Sequence, residues 1–135
     1  MFAPRKILEE KLKQILAEDV GLGDVTASAV VPSGSTAEAA VIAKDAGTVA
    51  GVEEAVVLAE SLGLNVKAAV ADGDKIKKSQ VLMKLSGDAQ TILAVERTLL
   101  NLVSRMSGIA TATRRLADKL AKAHSKARIA AICVL

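Results

Sequence analysis

Arg97, Asn101, Ser104 and Gly108 recur at i, i+4, i+7 and i+11. That spacing puts all four on one face of a helix. The face is small and polar apart from a single guanidinium. Such a face can approach another chain or a ligand closely and present a planar fork to a carboxylate or phosphate. The apolar stripe beside it is Ile92, Leu93, Leu99, Leu100 and Val103, with Glu96 inside the stripe and Arg97 at its border. A purely structural role would have Glu96 and Arg97 in intramolecular salt bridges and Asn101 capping a turn.

Other residues offer less. Gly21-Leu-Gly23 is similar to the start of a nucleotide-binding glycine loop, but it follows a helix and lacks the third glycine. It reads as a tight loop, with Asp24 and Thr26 bonding nearby backbone. Met83-Lys84-Leu85 is similar to the carrier motif of biotin domains. A carrier lysine must sit at a hairpin tip, however, and Lys84 falls mid-strand as a solvent-facing residue. His124 ends a helix, where positive charge is favourable. Cys133 reads as a small buried hydrophobe.

Composition limits the function classes. The chain has 135 residues, net charge +3, 51% hydrophobic residues and 1% aromatic, with Phe2 the only ring. Alanine and branched aliphatics must fill the core. Single-strand nucleic-acid binders that stack bases on aromatic platforms are disfavoured. So is a helix-turn-helix, whose spacing does not occur. One cysteine and one histidine leave no disulfide framework and no zinc site. No apolar run reaches the 18 or so residues of a membrane span. A reduced, cytoplasmic protein is the expectation. Charge is uneven. Residues 1–64 hold 5 basic and 10 acidic side chains, a net −5; residues 65–135 hold 13 and 5, a net +8. The basic half can attract an anion.

The elements that position these residues follow from periodicity. Residues 4–18 predict a helix with Ile7, Leu8, Leu12, Ile15 and Leu16 inward. Pro32-Ser-Gly-Ser predicts a turn. Residues 36–44 alternate as a strand, and 47–51 read as a short glycine-bounded strand. Residues 52–62 predict a helix stopped by Gly63. Strands follow at 66–71 and 80–85, separated by the Asp72-Gly-Asp-Lys75 turn. A helix over 88–106, N-capped by Asp88, is expected to break at Ser107-Gly108 and resume over 109–124. The second helix carries a stripe of Ile109, Thr113, Leu116 and Leu120. Residues 128–135 read as a final strand.

Several segments, in order, resemble quinolinate phosphoribosyltransferase: Leu16-Ala-Glu-Asp-Val-Gly-Leu-Gly-Asp-Val-Thr26, Gly47-Thr-Val-Ala-Gly51 and Asp72-Gly-Asp. The most specific are Glu96-Arg-Thr-Leu-Leu-Asn101 and Ser107-Gly-Ile-Ala-Thr-Ala-Thr113, taken together. The resemblance covers residues 7 to about 131. It implies an α+β fold: an N-terminal open sheet packed with helices, then helices and the first strand of a truncated α/β barrel. Residues 1–107 would be the capping and dimerisation domain, and 108–135 the start of the barrel domain.

The resemblance further implies transfer of a phosphoribosyl group from phosphoribosyl pyrophosphate to quinolinate. Decarboxylation gives nicotinate mononucleotide for NAD synthesis, and Mg2+ accompanies the pyrophosphate. It implies a homodimer or higher assembly in which one chain's N-terminal domain caps its neighbour's barrel. Arg97 would then reach into the neighbouring site and hold a substrate carboxylate. The family continues after the counterparts of Ala130-Ala131 with Thr-Arg-Lys-Thr, whose Arg and Lys bind quinolinate. This chain reads Ile132-Cys-Val-Leu135 instead. The expectation is a chain inactive by itself, with no catalytic residue, no metal ligand and Arg97 as its substrate-binding residue. The alternatives are a non-catalytic interaction module of the same fold and a molybdenum-associated paralogue.

Overall fold

The computed structural model describes residues 3–20, 30–124 and 126–129. The elements run α1 (Arg5–Val20), β1 (Thr36–Ile42), β2 (Gly47–Thr48), α2 (Val52–Ser61), β3 (Asn65–Ala68), β4 (Lys75–Ile76), β5 (Val81–Asp88) and α3 (Ala89–Lys122). β1, β5 and β3 form an antiparallel sheet in that order, and β2 pairs with β4 in a separate two-stranded ladder. The architecture is α+β, a small open sheet packed with helices, as the resemblance implies.

The sheet has one covered face. Along β1, the side chains of Ala37, Ala39 and Val41 turn inward while Thr36, Glu38, Ala40 and Ile42 are exposed. Two consecutive residues of β5, Leu82 and Met83, are both buried. The register shift between Val41 and Ile42 accounts for this. An extra residue at a bulge resets the alternation of the strand. Helices α1, α2 and α3 close the core around Leu12, Leu58, Met83 and Leu99, each 1% exposed or less. Ile7, expected inward, is 59% exposed; α1 buries only Leu8 and Leu12.

The Asp72-Gly-Asp turn does more than link strands. The Asp72 carboxylate accepts from the N–H groups of Val52 (2.8 Å) and Glu53 (3.3 Å). It thereby caps α2, whose own flanking residue is Gly51 and has no side chain to do so. The other end of α2 closes as the sequence predicts. Gly63 takes φ +83°. Its N–H donates to Glu60 O, and that of Leu64 donates to Ala59 O. This is the paired bond of a glycine-stopped helix.

Three expectations need correction. The helix does not break at Ser107-Gly108: α3 is continuous over 34 residues. A mid-helix glycine costs only about 1 kcal/mol, and Ser107 and Thr111 anchor this stretch to β2 and the loop after it (below). The strand predicted over 47–51 is two residues long, because Val49 instead exchanges bonds with the turn: its N–H donates to Asp74 O, and its carbonyl accepts from Gly73 N. The strand predicted over 128–135 does not form at 126–129, which have no regular structure, while 130–135 lie outside the described residues. The barrel's first strand is therefore not seen in the described residues.

Asp88 caps α3 as expected. Its Oδ2 accepts from the Thr91 N–H and the Thr91 hydroxyl, both at 2.8 Å. Those bonds hold the carboxyl below the usual aspartate range. A lowered folded value stabilises the folded state above the unfolded pKa of about 3.9. The contribution is lost as pH falls through the lower folded value. Asp88→Asn keeps an acceptor and removes the charge. Its urea midpoint, followed from neutral pH down to the acid limb, is expected to fall less steeply than that of the parent chain.

Candidate functional site

The candidate site is built on α3. All residues of the predicted face, Arg97, Asn101, Ser104 and Gly108, are exposed. At 100° per residue they fall within an arc of about 60°. Residues on the opposite side, among them Val95, Thr98, Leu99 and Leu102, are buried. The motif Glu96-Arg-Thr-Leu-Leu-Asn101 thus divides by direction. Leu99 is 1% exposed in the core, and Thr98 is 2% exposed with its hydroxyl donating to Asp19 Oδ2 at 2.8 Å. Arg97 and Asn101 point outward.

Glu96, Leu93 and Leu100 do not belong to the buried stripe as the sequence suggested. All three are exposed, and they line an apolar groove of about 410 Å³ between α3 and β1, floored by Ala37, Ala39 and Ile92. Neither the Glu96 nor the Arg97 side chain makes an ion pair or hydrogen bond with any described residue. The structural role considered for them, an internal salt bridge, is not observed among the described residues.

The sequence motifs are one another's partners. The Thr48 N–H donates to Thr111 Oγ1 (2.9 Å), and that hydroxyl donates to Thr48 O (3.3 Å). Ser107 repeats the pattern one turn earlier with Ala50 (3.0 and 3.2 Å). The 47–51 and 107–113 segments are therefore docked face to face. The two glycines permit this approach. A Cβ on Gly47 would lie 2.6 Å from Thr111 Oγ1; one on Gly51, at φ +88°, would lie 2.9 Å from Met106 Sδ. In the same way, the Thr98–Asp19 bond joins the Glu96–Asn101 motif to the Leu16–Thr26 motif. Gly47→Ala is expected to push Thr111 aside and lose its bond to Thr48. We expect a stability loss of about 1–3 kcal/mol, read from urea unfolding. Adding Thr111→Ala removes the clash and is expected to return part of that loss.

A second concavity of about 600 Å³ lies beside the lower half of the face, lined by Lys44, Ile76, Ser104, Gly108 and Arg115. The sequence places Arg115 in the separate helix expected over 109–124. In the continuous helix it stands eighteen residues after Arg97, about five turns, and so on the same side. Reading α3 as one helix was the signal that would have found it. Arg105, Arg114, Lys119 and Lys122 are exposed too, and none of these cations pairs with a described residue. Six of the thirteen basic side chains of the basic half thus lie exposed on α3.

The remaining candidates lie elsewhere. Lys84 is exposed in mid-strand. His124 sits in the turn after α3 at φ +51°. The Gly21–Thr26 loop and Cys133 lie outside the described residues. Among the described residues no three His, Cys, Asp or Glu side chains group closely enough to hold a metal ion. No described helix is long and apolar enough to cross a membrane.

Comparison with known proteins adds the following. A family model described as the N-terminal domain of quinolinate phosphoribosyl transferase matches residues 24–107, over half of the chain. A probable nicotinate-nucleotide pyrophosphorylase (carboxylating) of Methanothermobacter thermautotrophicus is 37% identical over 120 residues, 89% of this chain and 43% of that protein. The chloroplastic nicotinate-nucleotide pyrophosphorylase of Arabidopsis thaliana is 43% identical over 118 residues, 85% of this chain and 34% of that protein. Among solved structures, NadC from Streptococcus pyogenes superposes with a TM-score of 0.83 at 24% identity, covering 90% of this chain and 44% of that one. The nicotinate-nucleotide pyrophosphorylase of Francisella tularensis gives 0.75 at 25% identity, covering 89% and 44%. The chain spans between a third and a half of the length of these relatives.

Proposed function

The chain belongs to the quinolinate phosphoribosyl transferase family through that family's N-terminal domain, and from this we propose that it serves the transfer of a phosphoribosyl group to quinolinate. The product would be nicotinate mononucleotide, with pyrophosphate and CO2 released. Relatives named nicotinate-nucleotide pyrophosphorylase support the reading. The chain spans only part of their length, and the proposal assigns the chemistry to a phosphoribosyltransferase barrel that this domain caps. The boundary at residues 107/108 is part of the same proposal, and the end of the family match at residue 107 supports it.

One observation carries the role of this domain. Arg97 is an exposed guanidinium without a partner among the described residues, on a helix face whose other members are small. A cation held ready on a rigid helix, in a motif whose next two residues are locked into the core, suits delivery to a neighbouring barrel. Quinolinate is a dicarboxylate, and a guanidinium can bind one of its carboxylates with two parallel N–H···O bonds. That contact fixes the ring's orientation before the transfer step. Magnesium would arrive with the pyrophosphate. Its charge would assist pyrophosphate departure, and no residue described here is assigned to it. A homodimer or higher assembly and a cytoplasmic setting complete the proposal.

The test is complementation between chains. A full-length relative whose corresponding arginine is changed to alanine is mixed with this chain under conditions that allow subunit exchange. Recovery of nicotinate mononucleotide formation with the parent chain, and none with its Arg97→Ala variant, is the expected result. A stable mixed assembly that recovers nothing would instead make the chain a non-catalytic interaction module.

A further inference from the structure

The outer face of the β1-β5-β3 sheet is not covered by any described element. It forms a depression of about 700 Å³ lined by Glu38, Ala40, Asn65, Lys67, Lys84 and Ser86. The strand register arranges these residues in two rows, Glu38–Ser86–Asn65 and Ala40–Lys84–Lys67. Lys84 and Lys67 are direct cross-strand partners, with Cβ atoms about 5 Å apart by sheet geometry. Like charges directly opposite destabilise a sheet. Neither lysine makes an ion pair with a described residue. Glu38 is the sole carboxylate lining the depression. It stands one row away, diagonal to Lys84 and without an ion pair to it. The sheet's other face packs against the helices, so this surface and the Arg97 face of α3 are separate.

We propose that the outer sheet face binds a phosphate group, held between the ammonium groups of Lys67 and Lys84 with Ser86 and Asn65 as neutral donors from the next row. The two lysines act as point charges that the dianion neutralises together, which removes their mutual repulsion. The Ser86 hydroxyl and the Asn65 amide reach the remaining oxygens. Ala40 leaves open space beside Lys84, and Glu38 opposes the bound charge. The site depends on the fold alone and not on the proposed transferase role.

The experiment is a titration of the full chain with inorganic phosphate, followed by backbone amide NMR at ionic strength held constant with chloride. Saturable shifts at residues 65–67 and 84–86 are expected. Lys67→Gln and Lys84→Gln are each expected to weaken binding about tenfold, the loss of one charge-assisted hydrogen bond. Lys84→Arg should retain binding, and Glu38→Gln should tighten it. Both lysines are exposed, so the variants fold. Shifts that chloride reproduces, or that persist in both Gln variants, overturn the proposal. A Lys67→Gln chain that self-associates while phosphate has no effect also overturns it, by assigning the pair to guarding the β3 edge.

Discussion

Arg97→Ala, in an assembly that includes a phosphoribosyltransferase barrel, is expected to lower kcat/KM for quinolinate by about two orders of magnitude or more. Removing one member of a desolvated, hydrogen-bonded charge pair costs about 2–5 kcal/mol, and about 1.4 kcal/mol is a factor of ten. KM for phosphoribosyl pyrophosphate should change far less, since the guanidinium is assigned to the other substrate. Arg97→Lys should recover only part of the loss. An ammonium keeps the charge but cannot form the bidentate fork. The fold should be indifferent to either change, because the Arg97 side chain is exposed and bonds no described residue. Unfolding midpoints should stay within about 0.5 kcal/mol of the parent. Steady-state kinetics with each substrate varied in turn, together with a urea curve, checks all four statements.

The largest effect on stability is expected at Leu99, with its neighbour Leu100 in the same motif as the contrast. Leu99 is 1% exposed and Leu100 is 38% exposed. Leu99→Ala should cost about 2–5 kcal/mol, transfer loss plus the cavity it leaves. That is a large share of the 5–15 kcal/mol typical of a whole domain. Leu100→Ala, on the rim of the groove, should cost about 1 kcal/mol or less. Urea midpoints with unchanged m values would read the difference directly. Similar losses at both positions would contradict the orientation assigned to α3, and with it the outward direction of Arg97.

Much of this was legible in the sequence, for identifiable reasons. The face of Arg97, Asn101, Ser104 and Gly108 follows from helical geometry alone, and all four are exposed together. The Asp88 cap and the Gly63 stop are local, so local sequence predicts them. What was missed depends on contacts between distant residues. Ser107-Gly108 looks like a helix break until Ala50 and Thr48 are seen to bind Ser107 and Thr111. Leu93 and Leu100 look like core until β1 is placed and leaves an open groove beside them, lined in part by its small alanines. Asp72 looks like a turn residue and also caps a helix twenty residues upstream. The bulge that buries Leu82 and Met83 together likewise depends on pairing with β1. The resemblance to the phosphoribosyltransferase family rested on motifs that the fold then showed to be in mutual contact.

The central claim, that Arg97 holds a carboxylate of quinolinate, is tested most directly by a cycle between residue and substrate. The barrel-containing assembly is given quinolinate or the monocarboxylate nicotinate, with parent or Arg97→Ala chain, and binding is measured by calorimetry. If Arg97 pairs with the carboxylate that nicotinate lacks, the parent should prefer quinolinate and Arg97→Ala should lose most of that preference, while nicotinate binds both chains alike. Quinolinate bound as tightly by the Arg97→Ala assembly as by the parent would contradict the account.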